Sequence, residues 1–180
     1  MRTITPILMV AVMCLLLSAC GAWQTMSSAT SSAYHATFYK KVTTLDVDMK
    51  ARAMLNPDPL GRSYSVAVRV YQLKDTQRFQ NASYDDLLAS DKTILTQDLQ
   101  DERGVVIYPG SSASMSQPLK PDTQYIGIVA FYREAKSDGS WRLVVPKKDL
   151  SADTPLTLEL VGDAIMLSKD VPHDLPTVSR

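Results

Sequence analysis

Leu45-Asp46-Val47-Asp48-Met49-Lys50-Ala51-Arg52 is the stretch on which the fold turns. Its apolar members Leu45, Val47, Met49 and Ala51 alternate strictly with charged residues. A period of two sends each set to a different face, so residues 44–52 predict a strand with one buried face. Next comes Met54-Leu55-Asn56-Pro57-Asp58-Pro59-Leu60-Gly61-Arg62, where two prolines and a glycine break the pattern. Alternation resumes over residues 63–73, with Tyr64, Val66, Val68 and Val70 on one face.

Further along, only one stretch is helical. Ser83 caps a helix starting at Tyr84, Asp86 stands three residues on as an imperfect capping box, and Leu87 and Leu88 face inward. Phe79 packs nearby from a preceding turn. Strands follow at 98–108 and, past a Pro109-Gly110 turn, at the edge-like segment 113–118. Residues 124–133 carry Tyr125, Ile126, Ile128, Val129 and Phe131, apolar on both faces as a central covered strand requires. Ser137-Asp138-Gly139 turns the chain into 141–145. Leu156, Leu158 and Leu160 alternate again, and Gly162-Asp163 turns into 164–167. No internal repeat is visible. About eight strands with one helical insertion after the second predict an all-β fold, a two-sheet β-sandwich.

On the N-terminal side, Arg2 precedes an apolar run over residues 7–17 that is too short to span a bilayer as a helix. The run closes on Leu17-Ser18-Ala19-Cys20, which resembles the lipobox of bacterial lipoproteins. That resemblance implies cleavage after residue 19 and acylation of Cys20. Each buried methylene contributes about 0.8 kcal/mol, so several chains give a lasting anchor where one gives marginal binding. The alternative is an ordinary signal peptide cut beside an incidental cysteine. Gly21 follows in place of the aspartate that keeps such proteins in the inner membrane, which implies an outer-membrane destination facing the periplasm. Residues 20–33, rich in Ser, Ala and Thr, read as a tether, and a flexible segment of that length spans about 20 Å. Trp23 suits either a headgroup-level aromatic or a plain linker residue. The expected organisation is a signal peptide at 1–19, acylated cysteine and tether at 20–33, sandwich at 34–168, and a loose tail at 169–180 containing Pro172 and Pro176.

Composition narrows the function. Lys+Arg and Asp+Glu are 19 each in 180 residues, a formal net charge of zero. Such balance argues against nucleic acid or a polybasic membrane patch as partner. The two cysteines are Cys14, in the discarded leader, and Cys20. The mature domain therefore has no disulfide, thiol nucleophile or thiolate metal site. Its histidines, His35 and His173, fall at the tether junction and in the tail, poor places for a rigid catalytic constellation. Asp46 with Asp48 reads as the solvated face of a strand, and Asp85 with Asp86 as a first helical turn answering the dipole. Asn81-Ala82-Ser83 matches a glycosylation sequon that a bacterial lipoprotein does not use. Trp141 and Arg142 suit a ligand pocket or, more simply, a core tryptophan on a hairpin strand. The expectation is a non-enzymatic protein with no catalytic residues, metal, cofactor or small-molecule substrate.

Two stretches carry a family resemblance. The first is Val68-Arg69-Val70-Tyr71-Gln72-Leu73-Lys74, followed by Phe79, Ala82, Tyr84, Leu87, Leu88 and Asp91. The second runs from Pro109-Gly110 through Tyr125-Ile126-Gly127-Ile128-Val129-Ala130-Phe131-Tyr132-Arg133 to Trp141-Arg142. Their order behind a lipobox resembles the TssJ family, outer-membrane lipoproteins of the bacterial type VI secretion system, over roughly residues 43–167. The resemblance implies a transthyretin-like sandwich of two four-stranded sheets and no enzymatic activity. It also implies that the protein tethers the envelope-spanning complex by binding the periplasmic C-terminal domain of the inner-membrane protein TssM.

The family's contact loop, between the first two strands, maps onto Met54, Leu55, Asn56, Pro57, Asp58, Pro59, Leu60, Gly61 and Arg62. From the residues themselves, the prolines lower the cost of ordering that loop on a partner. Met54, Leu55 and Leu60 supply apolar contact, and Asn56, Asp58 and Arg62 polar rim contacts. A long hairpin folding its apolar residues back onto the sandwich is the equal alternative. Rival functions are a periplasm-facing module for lipid or peptidoglycan fragments, which needs an apolar cavity with convergent polar groups, and a hydrolase.

Overall fold

The computed structural model describes residues 41–170. The leader, Cys20, the tether with Trp23, residues 34–40 with His35, and residues 171–180 with His173 lie outside the described residues. The unit from Val42 onward carries the fold. Its strands are β1 (Thr44–Leu55), β2 (Val66–Leu73), β3 (Leu99–Ile107), β4 (Ser112–Pro118), β5 (Tyr125–Phe131), β6 (Arg142–Pro146), β7 (Leu156–Gly162) and β8 (Ala164–Leu167). Two helices, α1 (Gln77–Asn81) and α2 (Tyr84–Ile94), fall between β2 and β3.

The strands form two four-stranded sheets, ordered β4-β1-β7-β8 and β3-β2-β5-β6. This is the expected two-sheet sandwich with its helical insertion after the second strand. In the first sheet β1 lies antiparallel to β4 and parallel to β7. Leu45, Val47, Met49 and Ala51 are all buried, as the alternation requires. They meet Val66, Val68 and Val70 of β2 and Ile126, Ile128 and Ala130 of β5 in one core. β4 is an edge strand and β5 a central one, as expected.

β5 is buried on both faces because the helical insertion covers the outer side of its sheet. Phe79, on α1, packs edge-on against Tyr71 at 5.9 Å. A side chain at Gly127 would place its Cβ 2.9 Å from both Leu73 and Phe79, so glycine is what lets α1 approach the sheet. Polar clamps complete the docking. Arg69 donates to the Asp91 carboxylate at 2.8 Å and to the Leu87 carbonyl at 3.0 Å, and the Tyr71 hydroxyl donates to the same Asp91 oxygen at 2.9 Å. Arg142 donates to the carbonyls of Phe79 and Ala82, and the Tyr84 hydroxyl to that of Tyr132. Trp141, buried just ahead of β6, meets the Tyr84 ring at 5.2 Å, so it is a core tryptophan.

Four details differ from the sequence reading. The capping box is complete, since Ser83 Oγ accepts from the Asp86 N–H and the Asp86 carboxylate from the Ser83 N–H, both at 3.1 Å. Leu88 points outward at 46% exposure while Leu87 is fully buried. Adjacent residues on a helix are about 100° apart, and only one of them can face the sheet. Phe79 sits in a short helix instead of a turn. The fourth difference is that β1 runs on to Leu55 and β2 starts only at Val66, because β3 ends at Ile107, opposite Val66, and leaves Tyr64 no ladder partner.

Candidate functional site

The loop joining β1 to β2, residues 56–65, is proline-stiffened and held from within. Asn56 has a φ of 48°, the left-handed region that asparagine tolerates better than most residues. Its N–H donates to the Gly162 carbonyl at 2.6 Å, its Nδ2 to the Ser65 carbonyl at 3.1 Å, and its Oδ1 accepts from the Arg133 N–H at 2.8 Å. One residue thus joins the β1–β2 loop to the β5–β6 connection through its side chain and to the end of β7 through its backbone.

Asp58 organises the rest. Asp58-Pro59-Leu60-Gly61 has the residue order of a β-turn, with proline second and glycine fourth, and the Gly61 N–H closes it onto the Asp58 carbonyl at 2.8 Å. The Asp58 Oδ1 accepts from the backbone N–H groups of Leu60 and Arg62, each at 2.9 Å. Its Oδ2 accepts from Arg62 Nε at 2.7 Å and from the Tyr64 hydroxyl at 3.3 Å. Burial opposes ionisation of this carboxyl. The Arg62 N–H and guanidinium, the Leu60 N–H and the Tyr64 hydroxyl outweigh that and hold it below the ordinary carboxylate range.

The expected site residues therefore split by direction. Leu55 is fully buried and belongs to the core, while Asn56 and Asp58, 5% and 8% exposed, are occupied inside the loop. Pro57 is half-buried. Facing solvent are Met54, Pro59, Leu60, Gly61 and Arg62, with Leu60 79% exposed at the tip. Leu55, Asn56 and Asp58 build the loop, and the outward group is what a partner can touch. The sequence reading missed two neighbours. Tyr64, expected on a buried strand face, is exposed, and the Arg133 guanidinium lies 5.2 Å from its ring centroid. The missed signal for the loop's order is Asp58 itself, since an aspartate ahead of a proline and a glycine commonly folds its carboxylate back onto backbone N–H groups.

This arrangement positions no reacting group. Asp48 accepts a hydrogen bond from Ser114 and Asp86 caps α2, so each pair of carboxylates noted in the sequence has a member in structural use. Among the described residues no cluster of three or more His, Cys, Asp or Glu side chains could hold a metal ion. At the opposite end of the sandwich, where β1 begins and β6 ends, lies a groove of about 300 Å³. Leu45, Val145, Leu156 and Leu167 line it, but its carboxylates, Asp46 and Asp149, are exposed.

A model of the type VI secretion lipoprotein family (VasD, EvfM, TssJ) matches residues 43–163. The chain belongs to that family. Among solved structures, a chain described as "Type VI membrane complex" is 34% identical, with 71% of this chain and 98% of that one covered and a TM-score of 0.67. A chain solved under the description "T6SS protein TssM C-terminal domain (869-1107) from EAEC" is 31% identical, covering 76% of this chain and all of that one, with a TM-score of 0.63. The lipoprotein TssJ1 from Pseudomonas aeruginosa is 25% identical over 71% of this chain and 95% of its own, with a TM-score of 0.61. No curated protein matches the chain. The fold expected of the TssJ family is the one observed. Of the residues that carried the family resemblance, Arg69, Tyr71, Phe79, Leu87, Asp91, Gly127 and Trp141 seat the helical insertion on the sheet.

Proposed function

We propose that this type VI secretion lipoprotein is anchored in the outer membrane by acyl chains on Cys20, faces the periplasm, and holds the membrane complex there by binding the periplasmic C-terminal domain of TssM. Contact runs through the outward residues of the β1–β2 loop, and no catalysis is involved. The observation that carries this reading is an exposed apolar tip, Leu60, on a loop that Asp58 has already ordered. A preordered loop gives up little conformational entropy on binding, and an apolar side chain already exposed at its tip gains by being buried on a partner. Family membership and the likeness to a chain from a TssM structure support the choice of partner. The groove at the far end supports a fragment-binding module less well, because it lacks buried polar groups converging on a ligand.

The anchor and the partnership can be tested together in cells of the source organism. With radiolabelled palmitate, the wild-type protein should be labelled, fractionate with the outer membrane and co-purify with TssM. Cys20→Ser should lose the label and the membrane fraction. Palmitate retained by Cys20→Ser would overturn the anchor, and failure of the labelled wild-type protein to co-purify with TssM would overturn the partnership.

A further inference from the structure

Six large apolar side chains are exposed among the described residues, and five gather at one end of the sandwich. Met54, Leu60 and Tyr64 belong to the end of β1 and the loop after it. Val106 is the last but one residue of β3, and Tyr108, 64% exposed, opens the turn to β4. The register brings them together. Val66 pairs with Ile107, so β3 ends where the β1–β2 loop enters β2. The Gly110 N–H donates to the Arg52 carbonyl at 3.1 Å and the Ala51 N–H to the Ser111 carbonyl at 2.9 Å, which lays the β3–β4 turn along the last residues of β1. Val106, Ala67 and Phe131 lie side by side across β3, β2 and β5 on the outer face of their sheet. Arg133 follows Tyr132 at the end of β5 and lies over Tyr64.

Monomers rarely gather their exposed apolar residues in this way without a partner. We propose that the docking surface is this whole end face, with Tyr108 on the β3–β4 turn as a second anchor beside Leu60. Its occupant is an apolar hollow, bordered by carboxylate, on the periplasmic domain of TssM. The choice of TssM rests on the function proposed above. The chemistry comes from charge. The Arg62 guanidinium is neutralised by Asp58, 2.7 Å away. Arg133 makes no ion pair among the described residues and is held on an aromatic face, available to a carboxylate. The loop's carboxylate, Asp58, is buried and occupied by Arg62, and Glu134, next to Arg133 in the chain, is exposed. Arg133 is the patch's unpaired cation, and an acidic-rimmed partner complements it.

The test is calorimetric titration of the full-length protein in detergent with the periplasmic C-terminal domain of TssM from the same secretion system. Tyr108→Ala should weaken binding tenfold or more, as should Leu60→Ser, while Tyr108→Phe and the opposite-end variant Lys148→Ala stay at the wild-type value. Tyr108 makes its hydrogen bonds to Ser111 through its backbone, so the alanine variant keeps the turn, and circular dichroism checks this. Arg133→Glu should also lose tenfold, and the deficit should shrink at high salt. If Leu60→Ser weakens binding and Tyr108→Ala does not, the wider surface is overturned and the loop reading stands. If neither weakens it, the reading beneath both fails. Wild-type affinity in Arg133→Glu removes the carboxylate border. Sedimentation showing a dimer that Tyr108→Ala dissociates, with TssM affinity unchanged, would make the occupant a second copy and overturn the proposal.

Discussion

Two regions of this molecule use the same three side chains to opposite ends. In the helical insertion, Asp91 accepts from Arg69 and from the hydroxyl of Tyr71. In the β1–β2 loop, Asp58 accepts from Arg62 and from the hydroxyl of Tyr64. The first triad joins α2 to β2 across some twenty residues of chain, with its tyrosine fully buried. The second lies within seven residues and leaves its arginine and tyrosine exposed. A network that bridges elements is part of the fold's stability. One that closes on itself sets the shape of a surface segment and leaves the core alone. Burial decides the difference, because an unpaired polar group costs most where water cannot replace the lost partner.

The largest expected effect comes from breaking the first triad. Asp91→Ala leaves the Tyr71 hydroxyl buried without an acceptor and Arg69 without its ion pair. It should destabilise the protein by about 2–4 kcal/mol, the side chains being partly but not wholly desolvated. Urea denaturation of the full-length protein in detergent reads this directly. A loss below about 0.5 kcal/mol would mean the triad is no more than a surface contact.

The matching change in the loop, Asp58→Ala, should leave the denaturation midpoint near that of the wild type. It should instead speed hydrogen exchange at the Leu60 and Arg62 amides, which donate to its carboxylate. Acid should do the same to the wild-type protein, and the sign follows from linkage. The Asp58 pKa is lower folded than unfolded, so its stabilisation is complete above the unfolded carboxylate pKa and is lost as pH falls through the depressed folded value. Protection at those two amides, corrected for intrinsic exchange, should therefore fall selectively below about pH 4. A midpoint that collapses with Asp58→Ala would erase the contrast between the two regions.

The same contrast explains what could be read in the sequence. Period-two alternation placed β1 and most of β2, because burying one face of a strand leaves a pattern in its own residues, and apolar residues on both faces placed the central β5. The Ser83–Asp86 cap and the turns at Pro109-Gly110 and Gly162-Asp163 are equally local and were equally legible. The loop was only half legible. Proline and glycine mark a break, and Asp58 ahead of Pro59 signals a carboxylate folded back onto the backbone, but nothing in Leu55-Asn56-Pro57 says which of those residues turn inward. Asn56 is buried because of partners at Ser65, Arg133 and Gly162, two of them far along the chain. Tyr64 continues the β2 alternation and yet is exposed, because the partner strand ends two residue pairs short of it. Its meeting with Arg133 is set by topology alone.

The central claim is that the loop's outward tip, and not its internal scaffold, makes the contact with TssM. Replacing the loop wholesale would disturb Asn56 and Asp58 together with the tip, so the sharper change is Leu60→Ser, which removes an exposed side chain and no hydrogen bond. The direct measurement is the affinity of full-length wild-type and Leu60→Ser protein, in detergent, for the periplasmic C-terminal domain of TssM. The account predicts at least a tenfold loss, about 1.4 kcal/mol, with denaturation midpoint and circular dichroism unchanged. Equal affinity in a fully folded variant would contradict it.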